Sequence, residues 1–158
     1  MSLFTAWNIN ASGLTAQRYR MDTIAQNLAN ANTTRTEDGE PYRRKVVVFA
    51  EKESRTTFTR VLKESVARYS GLSSRGNYTG KGVKVDATYE DTWTPMNMVY
   101  DPSHPDADEN GYVTYPNVNT VTEMTNLIDA ANAYNANATA FEASKAMTQK
   151  GLSIGTGA

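Results

Sequence analysis

The sequence has no cysteine, only one histidine and no surplus of basic residues. The absence of cysteine excludes disulfide bonds and thiolate metal sites. Lysine and arginine number 16 against 17 acidic residues, and the formal charge of −1 gives no long-range attraction to nucleic acid or to an anionic membrane. No apolar run approaches the roughly twenty residues that span a bilayer. We therefore expect neither a nucleic-acid partner nor direct membrane insertion.

The first residues also lack the features of a secretory signal peptide. No lysine or arginine precedes Arg18, and the segment has no unbroken apolar stretch. A secretory signal needs a basic start and about seven to fifteen consecutive apolar residues. The pattern predicts a chain that does not use the general export route.

Both ends of the chain carry a helical pattern. In residues 1–33, Trp7, Leu14, Met21 and Leu28 recur every seven positions, and Ile24 fills an adjoining position. In residues 117–158, apolar residues alternate in steps of three and four, as in the seam of a coiled coil. These residues are Met124, Leu127, Ala131, Tyr134, Ala138 and Phe141.

The ends of the second helix have local signals of their own. Thr120 and Glu123 have the spacing of a capping box, which predicts that the helix begins there. Gly151 follows Lys150 and predicts that the helix ends there. Alanine is abundant between these two points, so another helix can approach closely.

The middle of the chain, residues 34–116, has strand character. Residues 45–50 and 55–62 are rich in β-branched side chains, and Val83, Val85, Ala87 and Tyr89 alternate as in a half-buried strand. Four prolines make residues 93–116 an extended, irregular segment. The sequence thus predicts an α+β fold, in which long terminal helices pair as an antiparallel, coiled-coil-like unit attached to a β-rich middle.

The segment around His104 is the best candidate for chemistry. Asp106, Asp108, Asn110 and Gly111 match the opening of an EF-hand calcium loop, but Asn117 stands where that loop needs a bidentate glutamate. We expect the carboxylates of this segment to bind backbone amides of the turn instead, and to hold no metal. A calcium- or ligand-binding surface module that uses residues 106–110 remains the alternative function.

Catalysis by this segment has little support. A nucleophile triad would need the single histidine beside a hydroxyl group and an orienting acid, and the flanking prolines hold His104 in a stiff loop. We predict no catalytic residue, no cofactor and no enzymatic activity.

Several motifs together resemble a known family. Residues 24–33, Ile-Ala-Gln-Asn-Leu-Ala-Asn-Ala-Asn-Thr, resemble the signature of the axial proteins of the bacterial flagellum. Residues 34–49, 100–113 and 115–118 are similar to the proximal rod proteins of the flagellar basal body, and residues 123–137 to their C-terminal helix. Residues 51–78 carry no motif that we recognise from that family, and their role is open. The motif residues are Asn27, Leu28, Ala29, Asn30, Asn32, Thr33, His104, Pro105, Asp106, Gly111, Tyr112, Pro116 and Asn117.

The resemblance implies a structural subunit of the basal-body rod, the periplasmic shaft that carries torque for motility. It also implies export by the flagellar type III apparatus without a cleaved signal peptide. The implied partners are copies of the chain itself, the rod proteins FlgB, FlgF and FlgG, the adaptor FliE and the export apparatus. On this hypothesis the helical seam packs within one subunit, while alanine faces and asparagine side chains mesh between subunits.

Overall fold

Two long helices and two small antiparallel sheets are the main elements in the part of the chain that the structure describes. The computed structural model describes residues 3–52, 62, 65–66, 69 and 80–155. Along the chain these residues form α1 (Leu3–Ala29), β1 (Lys45–Glu51), β2 (Val83–Glu90), β3 (Asn97–Tyr100), β4 (Tyr112–Tyr115) and α2 (Thr120–Gly155). The strand predicted over residues 55–62 lies, apart from Leu62, outside the described residues.

The helices α1 and α2 pack side by side and run antiparallel, as the sequence predicts. The start of α1 meets the second half of α2, where the ring centroids of Trp7 and Phe141 lie 5.9 Å apart. The end of α1 meets the start of α2, where Asn27 donates a hydrogen bond to Glu123. Neither helix is long and apolar enough to cross a membrane, and the same holds for the rest of the described chain.

The first sheet lies against α1. Strands β1 and β2 pair antiparallel, from Lys45 opposite Glu90 to Glu51 opposite Val83, with a bulge at Asp86 of β2, opposite the step from Val48 to Phe49. Two hydrogen bonds tie β2 to α1: the Val83 amide donates to Ser12 Oγ over 3.1 Å, and the Tyr19 hydroxyl lies 3.1 Å from that of Thr88. The predicted alternation holds for Val83, Val85 and Ala87, which are half-buried while the residues between them are exposed, but it fails at Tyr89, which is 56% exposed.

The prediction of an irregular segment over residues 93–116 is wrong in part. Strands β3 and β4 form a hairpin there, with Asn97 opposite Tyr115 and Tyr100 opposite Tyr112. Gly111 directly precedes the return strand and has a φ of 79°, a conformation that a residue with a Cβ adopts only at a cost. The prolines lie outside both strands, where the missing N–H removes no ladder hydrogen bond.

Both predicted ends of α2 also need correction. Asn119, not Thr120, caps the helix: its Oδ1 accepts the amides of Val121 and Thr122 at 3.0 and 3.1 Å. At the other end the helix continues through Gly151 to Gly155.

The core is small and part of it is polar. Its buried apolar residues are Ala16, Ile24, Tyr42, Val113, Val118 and Ala130, and its buried polar residues are Thr23, Asn27, Asn117 and Glu123.

Candidate assembly surfaces and the polar junction behind them

A buried polar junction joins α1, β1, the end of β2 and the start of α2. We use this name for Asn27, Tyr42, Arg44, Asp91, Asn117 and Glu123. Their hydrogen bonds connect residues up to 96 positions apart in the chain. Buried polar groups are costly unless they are paired, so a satisfied network favours one arrangement of these elements.

Asn27 lies at the centre of the junction and is fully buried. Its amide nitrogen donates to the Lys45 carbonyl at 2.9 Å and to Glu123 Oε2 at 3.0 Å. Its oxygen accepts the Tyr42 hydroxyl and the Lys45 amide, each at 2.9 Å. Every hydrogen-bonding position of this side chain is therefore in use.

Glu123 brings a carboxylate into the same place at only 1% exposure. Arg44 donates to its Oε1 twice, from Nε at 2.9 Å and from Nη2 at 2.7 Å, while Asn27 occupies the other oxygen. Arg44 also lies 3.6 Å from a carboxylate oxygen of Asp91. A buried charge is tolerated when it is paired and hydrogen-bonded in this way.

Asn117 connects the junction to the hairpin. Its Oδ1 accepts the Arg44 amide at 2.9 Å, and its Nδ2 donates to the carbonyls of Asp91 and Thr94 at 2.8 and 3.1 Å. Pro116, just before it, is also buried. The segment after β4 is thereby fixed to the end of the first sheet.

Two groups of the junction have shifted pKa values. Burial, followed by the carboxylates of Glu90 and Glu123, raises the pKa of the Tyr42 hydroxyl above its ordinary value of 10.0. Hydrogen bonds from the backbone and hydroxyl of Thr94, with a smaller contribution from Arg44, hold the pKa of Asp91 below its usual value. Asp91 therefore carries its charge at neutral pH.

The predicted seam residues differ in how far they are buried. Ile24 is buried, and the regularly spaced Trp7, Leu14, Met21 and Leu28 are all half-buried. On α2, the half-buried set comprises Leu127, Ala131, Tyr134, Ala138 and Phe141. Met124 is 56% exposed, so its predicted packing within the subunit is wrong; Glu123 and Ala130 are the buried residues of α2.

The first motif serves mainly the end of α1. Besides Asn27 and Leu28, this motif contains Asn30. The side-chain nitrogen of Asn30 donates to the Gln26 carbonyl at 2.9 Å, and its side-chain oxygen accepts the Thr33 hydroxyl at 3.2 Å. Ala29 is the last residue of α1, and both Ala29 and Asn32 are exposed.

The aspartate carboxylates of the His104 loop accept hydrogen bonds from the protein itself. Asp108 Oδ1 accepts the amides of Asn110 and Tyr112 at 2.9 and 2.8 Å, as expected for a turn. Asp106 accepts the Thr34 hydroxyl at 2.8 Å and lies 3.9 Å from Arg35. Among the described residues, no three acidic or histidine side chains are grouped so that they could hold a metal ion.

His104 has a structural environment as well. Its Nδ1 accepts the Asp106 amide at 3.1 Å, and its ring meets that of Tyr115 at an angle, with centroids 6.3 Å apart. Pro105 is exposed beside it.

Among the described residues, large apolar side chains are exposed on the hairpin and at both ends of α2, and also elsewhere, for example at Tyr19, Val48 and Tyr89. The hairpin surface consists of Trp93, Met98, Val99, Tyr100 and Tyr112, exposed by 42–95%. The first turns of α2 expose Val121, Met124 and Ile128, and its last turns expose Met147, Leu152 and Ile154. Extended exposed apolar surface typically marks a site of interaction with another protein. A groove of about 310 Å³ lies between α1, β1 and α2, with Arg20, Phe49 and Asn126 among its lining residues.

Both ends of the chain match models of the same class of proteins. Residues 8–35 match the flagella basal body rod protein family, and residues 109–154 match the C-terminal family of the flagellar basal body rod FlgEFG proteins. The paired terminal helices and the sequence motifs thus define an axial protein of the flagellar basal body.

Curated relatives narrow this class. The chain is 45% identical to the flagellar basal-body rod protein FlgC of Bacillus subtilis and 41% identical to that of Borreliella burgdorferi. The first alignment covers 98% of this chain and 99% of the relative, and the second covers 98% of each. The FlgC protein of Salmonella typhimurium is 37% identical, over 98% of this chain and 99% of its own. The chain belongs to the FlgC family of flagellar basal-body rod proteins and is a structural subunit of the rod.

Proposed function

We propose that this subunit joins the rod through its exposed apolar surfaces, while the polar junction holds those surfaces in a fixed relative orientation. Its partners on this proposal are further copies of itself, FlgB, FlgF, FlgG and the adaptor FliE. It acts in the periplasmic part of the basal body, after export by the flagellar type III apparatus.

One observation about β3 carries the proposal. Met98 and Val99 are neighbours in a strand, so their side chains point to opposite faces of the hairpin. They are nevertheless 63% and 48% exposed. An antiparallel sheet commonly leaves one face to solvent, but a strand with apolar side chains exposed on both faces favours cover by another molecule.

The helix pair supplies the second part of the proposed mechanism. On α2, Ala136, Ala140, Ala143 and Ala146 are exposed, and small side chains let a neighbouring helix approach closely. Close helices that interdigitate along their length resist bending and twisting, as a shaft that transmits torque requires.

Complementation tests the hairpin. In a strain that lacks its own copy of this protein, we expect Met98→Asp and Val99→Asp to abolish swimming and to prevent recovery of complete rods in isolated basal bodies. The apolar variants Met98→Leu and Val99→Ile should restore both. Circular dichroism of the purified aspartate variants should match the wild type, because both positions are exposed. Normal swimming of the aspartate variants would contradict the proposal.

The export route has a separate test. In a strain without the flagellar type III apparatus, the chain should remain in the cytoplasm, as cell fractionation with an antibody would show. Its arrival in the periplasm of that strain would exclude the proposed route.

A further inference from the structure

The charges around the hairpin surface are all of one sign. Residues 91–119, which contain β3, β4 and the loop between them, have five acidic residues and no lysine or arginine. All 16 basic residues of the chain lie elsewhere, together with the other 12 acidic ones. Since the formal charge of the whole chain is only −1, the hairpin segment is a local concentration of negative charge.

Two of the five carboxylates lie near arginine side chains. Asp91 is 3.6 Å from Arg44, and Asp106 is 3.9 Å from Arg35. The other three carboxylates form no ion pair within the described part of the chain; they belong to Asp101, Asp108 and Glu109. We call these three residues the acidic edge.

The acidic edge has oxygen atoms that are free to bind a partner. Asp101 Oδ1 accepts the amide and the hydroxyl of Ser103, at 3.1 and 2.6 Å. Asp108 Oδ1 accepts the Tyr112 amide at 2.8 Å. The Oδ2 atoms of both aspartates and the two carboxylate oxygens of Glu109 accept no hydrogen bond from a described residue. Each residue of the acidic edge can therefore accept a charge-assisted hydrogen bond from lysine or arginine.

The acidic edge borders one end of the hairpin surface. Asp101 directly follows Tyr100, the last residue of β3, and Asp108 binds the amide of Tyr112, the first residue of β4. The rings of the two tyrosines meet edge to face, with centroids 5.3 Å apart, and are 64% and 42% exposed. The apolar surface thus continues directly into negative charge on this side.

The partner must match this surface in shape and in charge. Met98 and Val99 are exposed on opposite faces of the hairpin, so a cleft covers both of them, whereas a flat surface covers only one. Negative charge beside the apolar side chains repels nucleic acid and anionic membranes. It attracts a protein surface whose lysine or arginine side chains lie at the edge of the contact.

Neither the groove nor the end of α2 fits the hairpin of a second copy. The groove between α1, β1 and α2 has a volume of about 310 Å³, close to the smallest pockets that hold a small molecule. The hairpin surface exposes five large side chains and is too big for it. The second half of α2 carries Lys145 and Lys150 near exposed apolar residues, but a single helix is convex and covers only one face of the hairpin.

We infer that the hairpin surface docks in an apolar cleft of a different rod protein, and that lysine or arginine side chains line the rim of this cleft beside the acidic edge. This inference rests on the proposed function and deepens it by naming the chemistry of the surface that the hairpin meets. The apolar side chains supply the centre of the contact. The carboxylates fix its orientation, because they border only one end of the hairpin surface.

A triple variant of the full chain tests the basic rim. Asp101→Asn, Asp108→Asn and Glu109→Gln remove the three charges but keep the oxygen atoms that accept the hydrogen bonds of the turn. In the strain that lacks its own copy of this protein, swimming should be reduced and the yield of complete rods should fall by on the order of fivefold or more. A matched control removes three exposed charges from other parts of the chain: Asp22→Asn, Asp38→Asn and Glu142→Gln. This control should swim normally.

A charge reversal identifies the partner. Glu109 is exposed and forms no hydrogen bond with a described residue, so Glu109→Lys should leave the monomer folded but reduce swimming. Circular dichroism checks the fold of every variant, and Glu109→Lys decides alone if the triple variant is unfolded. Second mutations that restore swimming to Glu109→Lys should replace a lysine or arginine of another flagellar protein by an acidic or neutral residue, as genome sequencing would show.

Three results would overturn the inference. The first is normal swimming of the folded triple variant or of Glu109→Lys, or an equal loss in the matched control. The second is a restoring mutation in a basic residue of this chain itself, which would mean that a second copy covers the hairpin. The third is that no restoring mutation involves a basic residue. After any of them, the aspartate variants of Met98 and Val99 still test the proposed function, so the two failures are distinguishable.

Discussion

At the scale of single residues, no other side chain can replace the amide of Asn27, because its nitrogen donates hydrogen bonds and its oxygen accepts them. The nitrogen faces two acceptors, the Lys45 carbonyl and the Glu123 carboxylate, while the oxygen faces two donors, Tyr42 and the Lys45 amide. Aspartate would offer no donor to Glu123 and would place a second negative charge beside it. An aliphatic residue would leave four buried groups without their partner.

We therefore expect Asn27→Ala to lower the free energy of unfolding by about 2–4 kcal/mol, since buried groups that lose a hydrogen-bond partner are costly. Urea unfolding followed by circular dichroism measures the change. Asn30→Ala is the matched control: that side chain bonds the Gln26 carbonyl in an exposed position, and its loss should cost less than about 1 kcal/mol. Equal effects of the two variants would contradict the central role of Asn27.

The raised pKa of the Tyr42 hydroxyl predicts how the free energy of unfolding changes at alkaline pH. The pKa of its hydroxyl is higher in the folded protein than the ordinary value of 10.0, so above pH 10 the unfolded chain loses this proton first. The stabilisation is complete below pH 10 and is lost as the pH rises through the folded pKa. Urea unfolding between pH 9 and about 11.5 should show a steeper loss of stability for the wild type than for Tyr42→Phe. Parallel curves would show that the shift is absent.

At the scale of elements, the sequence predicts the terminal helices, their antiparallel pairing and strands β1 and β2 well, because the helices and strands each have a local pattern of periodicity or composition. The sequence does not predict positions that depend on contacts between residues far apart in the chain. Glu123 has the spacing of a capping residue, yet its carboxylate is turned inward by Arg44, 79 positions earlier. No local pattern carries that information, and the position of Met124 on the surface follows from it.

The hairpin β3–β4 shows a second limit of local patterns. Prolines around it predict an irregular segment, and the strands are only four residues long. The pairing depends on the turn at Gly111 and on the contacts of Asn117 with Asp91 and Thr94. The motif resemblance identified Gly111 and Asn117 as family residues, but only the fold shows what they do.

A close approach of the two helices at Gly13 provides a prediction at this scale. A Cβ added at Gly13 would lie 2.7 Å from Asn137 Oδ1, so this amide would have to move. Gly13→Ala should lower stability by about 1 kcal/mol, despite the better helix propensity of alanine. The double variant with Asn137→Ala should be more stable than Gly13→Ala alone, because the obstacle is gone and the propensity gain of about 1 kcal/mol remains. Thermal unfolding of all four chains measures the coupling, and additive effects would show that the contact is unimportant.

At the scale of the whole molecule, the hairpin is positioned against the helix pair by two separate attachments. Asn117 fixes the end of β4 to the polar junction. The loop before β4 is held by Asp106, which accepts the hydroxyl of Thr34 just beyond the end of α1. His104 stiffens this loop through the Asp106 amide and the ring of Tyr115. Through these contacts the orientation of the hairpin depends on residues that lie far apart in the sequence.

The second attachment leads to a prediction that separates positioning from folding. Thr34→Val removes the hydroxyl but keeps the shape of the side chain, so the cost to global stability should stay near 1 kcal/mol. Hydrogen exchange of residues 101–111 should accelerate by about fivefold to tenfold, because this part of the chain can then open without the rest. Arg35→Ala is the control: its side chain is 71% exposed, so its ion pair with Asp106 should contribute little.

If the hairpin must be presented at a fixed angle, Thr34→Val should also reduce rod assembly in cells while the monomer stays folded. Faster exchange with normal assembly would instead mean that binding to neighbouring subunits is sufficient to position the loop.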